Sequence, residues 1–81
     1  MSLVINLQQY EALTGLRKKI AAAISDNNAE EMHRAIGMVH GYLIGLFTAG
    51  EIDINDVNSL EAETMANVDF LLNVRKVCNG R

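Results

Sequence analysis

Proline and tryptophan are absent from these 81 residues, and there is a single cysteine, Cys78. Without proline, nothing in the chain forbids long uninterrupted helices. One cysteine excludes a disulfide within the chain and suits a reducing, cytoplasmic setting. Aromatics are scarce, with two tyrosines and two phenylalanines, so any core must be built from Leu, Ile, Val, Met and Ala. An excess of positive charge is also missing. The formal net charge is −3, which gives no general affinity for nucleic acid. The opening residues MSLVINL have no basic region ahead of a long apolar run, so they do not read as a secretory signal. Repeats, low-complexity segments and an interdomain linker are absent too, and residues 1–81 read as one domain.

Catalytic patterns are missing as well. No G-x-x-x-x-G-K-[ST], G-x-G-x-x-G or G-x-S-x-G occurs. His33 and His40 are the only histidines, and on a helix they stand about 10 Å apart along the axis, too far to share one metal. Asp53-Ile-Asn55-Asp-Val57 begins like a calcium loop. It fails because Val57, Asn58 and Thr64 occupy the positions where ligands and glycine are needed. Glu61 and Glu63 fall on different sides of a helix and cannot share a substrate atom. Cys78 has no neighbouring base and reads as a passive thiol. The chain therefore reads as a non-enzyme with no cofactor and no metal.

What is present is apolar patterning, since 49% of residues are hydrophobic, too many for a disordered chain. The stretch Ala35 to Phe47, AIGMVHGYLIGLF, is uncharged apart from His40 and places Gly37, Gly41 and Gly45 at every fourth position. It is shorter than the ~20 residues of a membrane span and is bounded by Arg34 and Glu51. Strand-like alternation is lacking, so a helix is expected. At about 100° per residue, Met32, Ile36, Val39, Leu43, Leu46 and Phe47 form one apolar face and the glycines the opposite one. Ala35, Met38 and Tyr42 fill the gap between them.

A helix that is apolar or glycine all round is normally buried all round. Each interior glycine costs about 1 kcal/mol relative to alanine. Close approach of another backbone would offset that. Either the neighbouring helices of the same chain cross at these glycines, or a second copy does. Three helices in a triangle each keep a solvent side, so the sequence favours a homodimer whose interface includes Gly37, Gly41, Gly45, Met38 and Tyr42.

Helix punctuation divides the chain cleanly. Asn6 with Gln9 has capping-box spacing, and Leu7, Tyr10, Leu13, Leu16, Ile20 and Ile24 give a first helix from Leu7 to Ile24. Gly15, in its middle, is a place for the central helix to approach. Ser25-Asp26-Asn27-Asn28 is a polar break, and Asn28 with Glu31 opens a second helix from Ala29 to Ala49. Gly50 is expected in the left-handed conformation past its end. Asp53 caps a third helix from Ile54 to Val77, whose apolar positions are Ile54, Val57, Leu60, Met65, Val68, Leu71, Leu72 and Val74. Asn79-Gly80 ends it.

Short connections imply antiparallel neighbours. The expected fold is all-α, three antiparallel helices in a bundle completed by homodimerisation. In that arrangement Arg17, Lys18, Lys19, Arg34, Arg75 and Lys76 gather toward one end as a candidate partner surface. Glu11, Glu51, Asp53, Asp56, Glu61 and Glu63 gather toward the other. The basic end leaves a second reading open, a small nucleic-acid-binding regulator using Arg17, Lys18, Lys19, Arg75 and Lys76. No aromatic side chains interleave with the basic cluster to stack on bases.

The segment GYLIGLFTAGEIDINDVNSLEAE joins an apolar helix ending at Ala-Gly, an acidic, isoleucine-containing turn and a new helix. It resembles hairpins of small phage, prophage and bacterial accessory proteins. That resemblance implies a small cytoplasmic accessory or regulatory protein of phage origin, acting on an unidentified protein partner.

Overall fold

A computed structural model describes residues 5–79, with side chains described as far as Lys76. Three helices and no strand are found among these residues: α1 Leu7–Ser25, α2 Ala29–Thr48 and α3 Ile54–Asn79. The expected boundaries hold to within two residues. Cys78 and the Asn79-Gly80 stop lie outside the described side chains.

Local chemistry explains each start. The side chain of Asn6 accepts from the Gln9 N–H at 2.8 Å, and Gln9 Oε1 accepts from the Asn6 N–H at 3.0 Å, a complete capping box. Asn28 Oδ1 accepts from the Glu31 N–H at 3.0 Å, while the Glu31 carboxylate turns to Arg34 instead of closing a box. Asp53 and Asp56 each accept from the other's backbone N–H, at 2.9 and 3.2 Å.

The first two helices end alike. Past α1, the Asn27 N–H donates to the Ile24 carbonyl and the Asn28 N–H to the Ala23 carbonyl. Past α2, the Gly50 N–H donates to Phe47 and the Glu51 N–H to Leu46. Both are Schellman closures, and each turns on one left-handed residue: Asn27 at φ 58° and Gly50 at φ 79°.

Adjacent helices run antiparallel. α1 and α2 form the more extensive pair, and α3 packs across both. The core combines Leu13, Ile20 and Ile24 of α1, Ala35, Val39 and Leu43 of α2, and Val57, Leu60 and Val68 of α3. Ile5 and Ile52, from the segments preceding α1 and α3, close one end.

Several expectations are corrected here. Leu7, Tyr10, Ile54, Met65, Leu72 and Val74 were expected to face inward with their periodic neighbours, yet all six are exposed. Phe47 is exposed as well. Ala23, Ala35 and Thr64 are buried instead, because small side chains let the helices cross closely. The crossing does not use the glycines. A Cβ built on Gly15, Gly37, Gly41 or Gly45 meets nothing within 4 Å, so neither neighbour in the chain packs against them. Within the single chain, α2 is therefore not covered all round.

Candidate interaction surfaces

Arg17 illustrates how the fold redistributes charge. Its side chain, 20% exposed, reaches from α1 to α3. The Nε–H donates to Thr64 Oγ1 at 2.9 Å, one terminal nitrogen to the Leu60 carbonyl at 3.2 Å, and the other to Glu63 at 3.1 Å. The Thr64 hydroxyl itself donates to the Leu60 carbonyl at 2.8 Å. Glu63 and Arg17, assigned to opposite ends of the bundle on charge grounds, thus meet at mid-length, and the separation of charge is incomplete.

Of the remaining basic residues, Lys18, Lys19 and Lys76 are exposed, Arg34 pairs with Glu31 at 3.2 Å, and Arg75 is half-buried. Arg75 lines a small recess with Leu72 beside the α1–α2 turn. The candidate basic surface therefore consists chiefly of scattered lysines, with Arg17 turned inward.

The glycine face of α2 is open. Gly37, Gly41 and Gly45 are exposed, Met38 beside them is 41% exposed, and Tyr42 is half-buried at the edge. Arg34 and Thr48, both exposed, stand at the two ends of this face.

Next to the glycine face, and sharing Gly37 with it, α2 borders a groove formed with α3. Its volume is about 420 Å³, and Ile36, Gly37, Val39, Ala62, Thr64 and Met65 line it with His40 and Glu61. His40 Nδ1 and a Glu61 carboxylate oxygen form a hydrogen-bonded pair across the two helices. This pair was missed in the sequence because the residues belong to different helices. Only the register of α2 against α3 brings them together. Helical spacing alone offers His33 only Glu30, three residues before it, as an acidic neighbour one turn back.

No group of three or more His, Cys, Asp or Glu residues able to hold a metal occurs among the described residues. No helix among them is long and apolar enough to cross a membrane. Comparison with protein-family models, with curated proteins and with solved structures finds no match.

Proposed function

We propose that this chain is a non-catalytic helical interaction protein that pairs with a second copy through the glycine face of α2 and regulates a larger assembly. The observation that carries this reading is the open row Gly37, Gly41 and Gly45. Three glycines on one exposed helix face weaken α2 by roughly 3 kcal/mol relative to alanines. Nothing within the chain offsets that cost. A helix from a second copy, lying close where no Cβ intervenes, would.

The spacing also favours a copy of itself over an unrelated helix. Gly37 and Gly45 are equidistant from Gly41, so the row superimposes on itself when reversed. A two-fold axis through Gly41 then sets the partner's Gly45 against Gly37. Antiparallel pairing also opposes the two helix dipoles favourably. The uncharged middle of α2 supports burial, and Met38 adds an apolar flank.

The resemblance of the α2–α3 hairpin to phage and prophage accessory proteins supports a phage-encoded, cytoplasmic regulator acting on a protein partner. The alternative of nucleic-acid binding is less supported, since Arg17 is engaged with Thr64, Leu60 and Glu63.

Size-exclusion chromatography with light scattering tests the pairing directly. The expected result is a dimer at micromolar concentration that Gly41→Leu converts to monomer. A wild-type chain that remains monomeric would remove the proposal.

A further inference from the structure

Exposed apolar side chains continue along the α2–α3 seam on both sides of the groove. On α3, Ile54, Glu61, Met65 and Leu72 follow at steps of seven, four and seven residues, so they share one side of the helix. Ile54, Met65 and Leu72 are exposed, and Glu61 meets His40 across the seam. The two helices run antiparallel, so that contact fixes their relative heights. Phe47, seven residues past His40, stands level with Ile54, seven before Glu61. Phe47 is exposed as well. The groove therefore lies midway along the seam, with Phe47 and Ile54 at one end and Leu72 at the other.

Steps of seven, four and seven read the same in either direction. A two-fold axis through the midpoint of the row, between Glu61 and Met65, sets Ile54 against the partner's Leu72. It also lays the Met65 of each copy over the groove of the other. Gly41, next to His40, stands within a helical turn of that midpoint, so one axis serves the glycine row and the α3 row together. Glu61 comes to the contact with its own hydrogen-bond partner, His40, which offsets the cost of covering it.

Charge selects the same seating. Lys76 is exposed on Met65's side of α3. Reversing the row carries it to the partner's α2–α3 turn, where Glu51 and Asp53 are exposed. Asp69 falls beside the partner's Asn58, an exposed amide. A parallel seating would instead gather both Lys76 side chains at one end and both acidic turns at the other.

From this match of the face to itself we infer that the second copy is seated on the whole α2–α3 face. Its α3 lies reversed against α3, and the Met65 of each copy covers the groove of the other. The inference rests on the reading of α2 as a pairing helix and adds to it a second helix, an orientation and a charged contact at each end.

The test uses the full chain, with dimer dissociation followed by sedimentation equilibrium and helicity checked by circular dichroism. Met65→Glu sets a carboxylate against the partner's Glu61 and should weaken pairing by at least about tenfold. Leu72→Glu, at the end of the row, is a second variant at an exposed position and should do the same. Phe70→Asp, on the side of α3 away from Met65, should leave dissociation within about twofold. A water-soluble carbodiimide, which joins a lysine amine to a touching carboxylate, tests the orientation in the unmodified protein. Lys76 and the α2–α3 turn of its own chain stand about 33 Å apart along α3, so an amide from Lys76 to Glu51 or Asp53 joins two chains. That link is the expected one in the dimer band.

A dimer that survives both Met65→Glu and Leu72→Glu, or that couples Lys76 only to other carboxylates, would overturn the inference and leave the glycine row as the contact. A dimer lost in Met65→Glu but kept in Gly41→Leu would uphold the α3 row and overturn the glycine row. A chain that is monomeric throughout removes both.

Discussion

Arg17 and Thr64, far apart in sequence, meet across the α1–α3 interface at 2.9 Å, and Thr64 is the one polar residue among the described residues that is buried. The hydroxyl is fully used: it accepts from Arg17 and donates to the Leu60 carbonyl. Replacing it with a methyl leaves the shape nearly unchanged but strands the Arg17 Nε–H. Thr64→Val should therefore cost about 1–2 kcal/mol. Arg17→Ala should cost a similar amount or more, because it also removes the packed aliphatic stem. The two changes share a hydrogen bond, so the double variant should lose less than the sum. Urea unfolding of the four proteins checks this, and strict additivity would mean the contact is energetically idle.

The helix ends give a prediction of opposite signs at two positions. Asn27 and Gly50 occupy equivalent places in two Schellman closures, both at positive φ. Asn tolerates that conformation better than other side chains, and glycine tolerates it best. Asn27→Gly should be neutral or slightly stabilising, and Asn27→Ala destabilising. Gly50→Ala should cost about 1–2 kcal/mol from backbone strain alone, since a Cβ there has open space around it. Thermal unfolding monitored by circular dichroism separates these outcomes. A Gly50→Ala protein as stable as the parent would show that the turn relaxes freely.

Much of this architecture was legible because its determinants are local. The Asn6–Gln9 box, the Asn28 and Asp53 caps and the Gly50 terminus each depend on residues within one turn of one another. Sidedness was harder to read. Helical periodicity identified apolar residues but did not reveal which would be covered, and Leu7 ends 68% exposed at the very start of α1. The buried positions that went unnoticed, Ala23, Ala35 and Thr64, are small or polar, and their burial follows from where helices cross. The same holds for polar contacts between helices. Arg17 with Glu63 and His40 with Glu61 depend on helix register, which no single-helix spacing encodes. The glycine row was visible at once, and within the chain nothing covers it.

Leu43 and His40 are one turn apart on α2 and should respond very differently to truncation. Leu43 has no exposed surface, and its removal leaves a cavity in the hydrophobic core. Leu43→Ala should cost about 2–5 kcal/mol. The His40 side chain is 58% exposed, and its pairing with Glu61 is open to water and salt. His40→Ala should change stability by no more than about 1 kcal/mol. Denaturant titration of both variants tests the ranking. A larger loss at His40 would mean that the His40–Glu61 contact, and not the core, holds α3 against α2.

Alanine and leucine at Gly41 distinguish an open glycine face from a covered one by the direction of the effect. In an isolated chain alanine is free of clashes, because a Cβ at this position meets nothing within 4 Å, and a leucine starts from the same open space on an exposed helix face. Alanine would then raise helix propensity and stabilise the fold by about 1 kcal/mol. Leucine would do nearly as well. In a dimer whose backbones approach at Gly41, the added atoms fall at the closest point of contact. Alanine would gain within the helix and lose at the interface. Leucine would be excluded, with an overpacking cost of about 1–3 kcal/mol per copy. The expected outcome is that Gly41→Leu becomes monomeric and its unfolding midpoint no longer depends on protein concentration, whereas the parent's does. Gly45→Leu should mirror it, since the row is symmetric about Gly41. Gly15→Leu, on a glycine of α1 that is equally open within the chain, supplies the control and should leave assembly unchanged. If all three variants behave like stabilised monomers, the α2 face is bare and the pairing is absent.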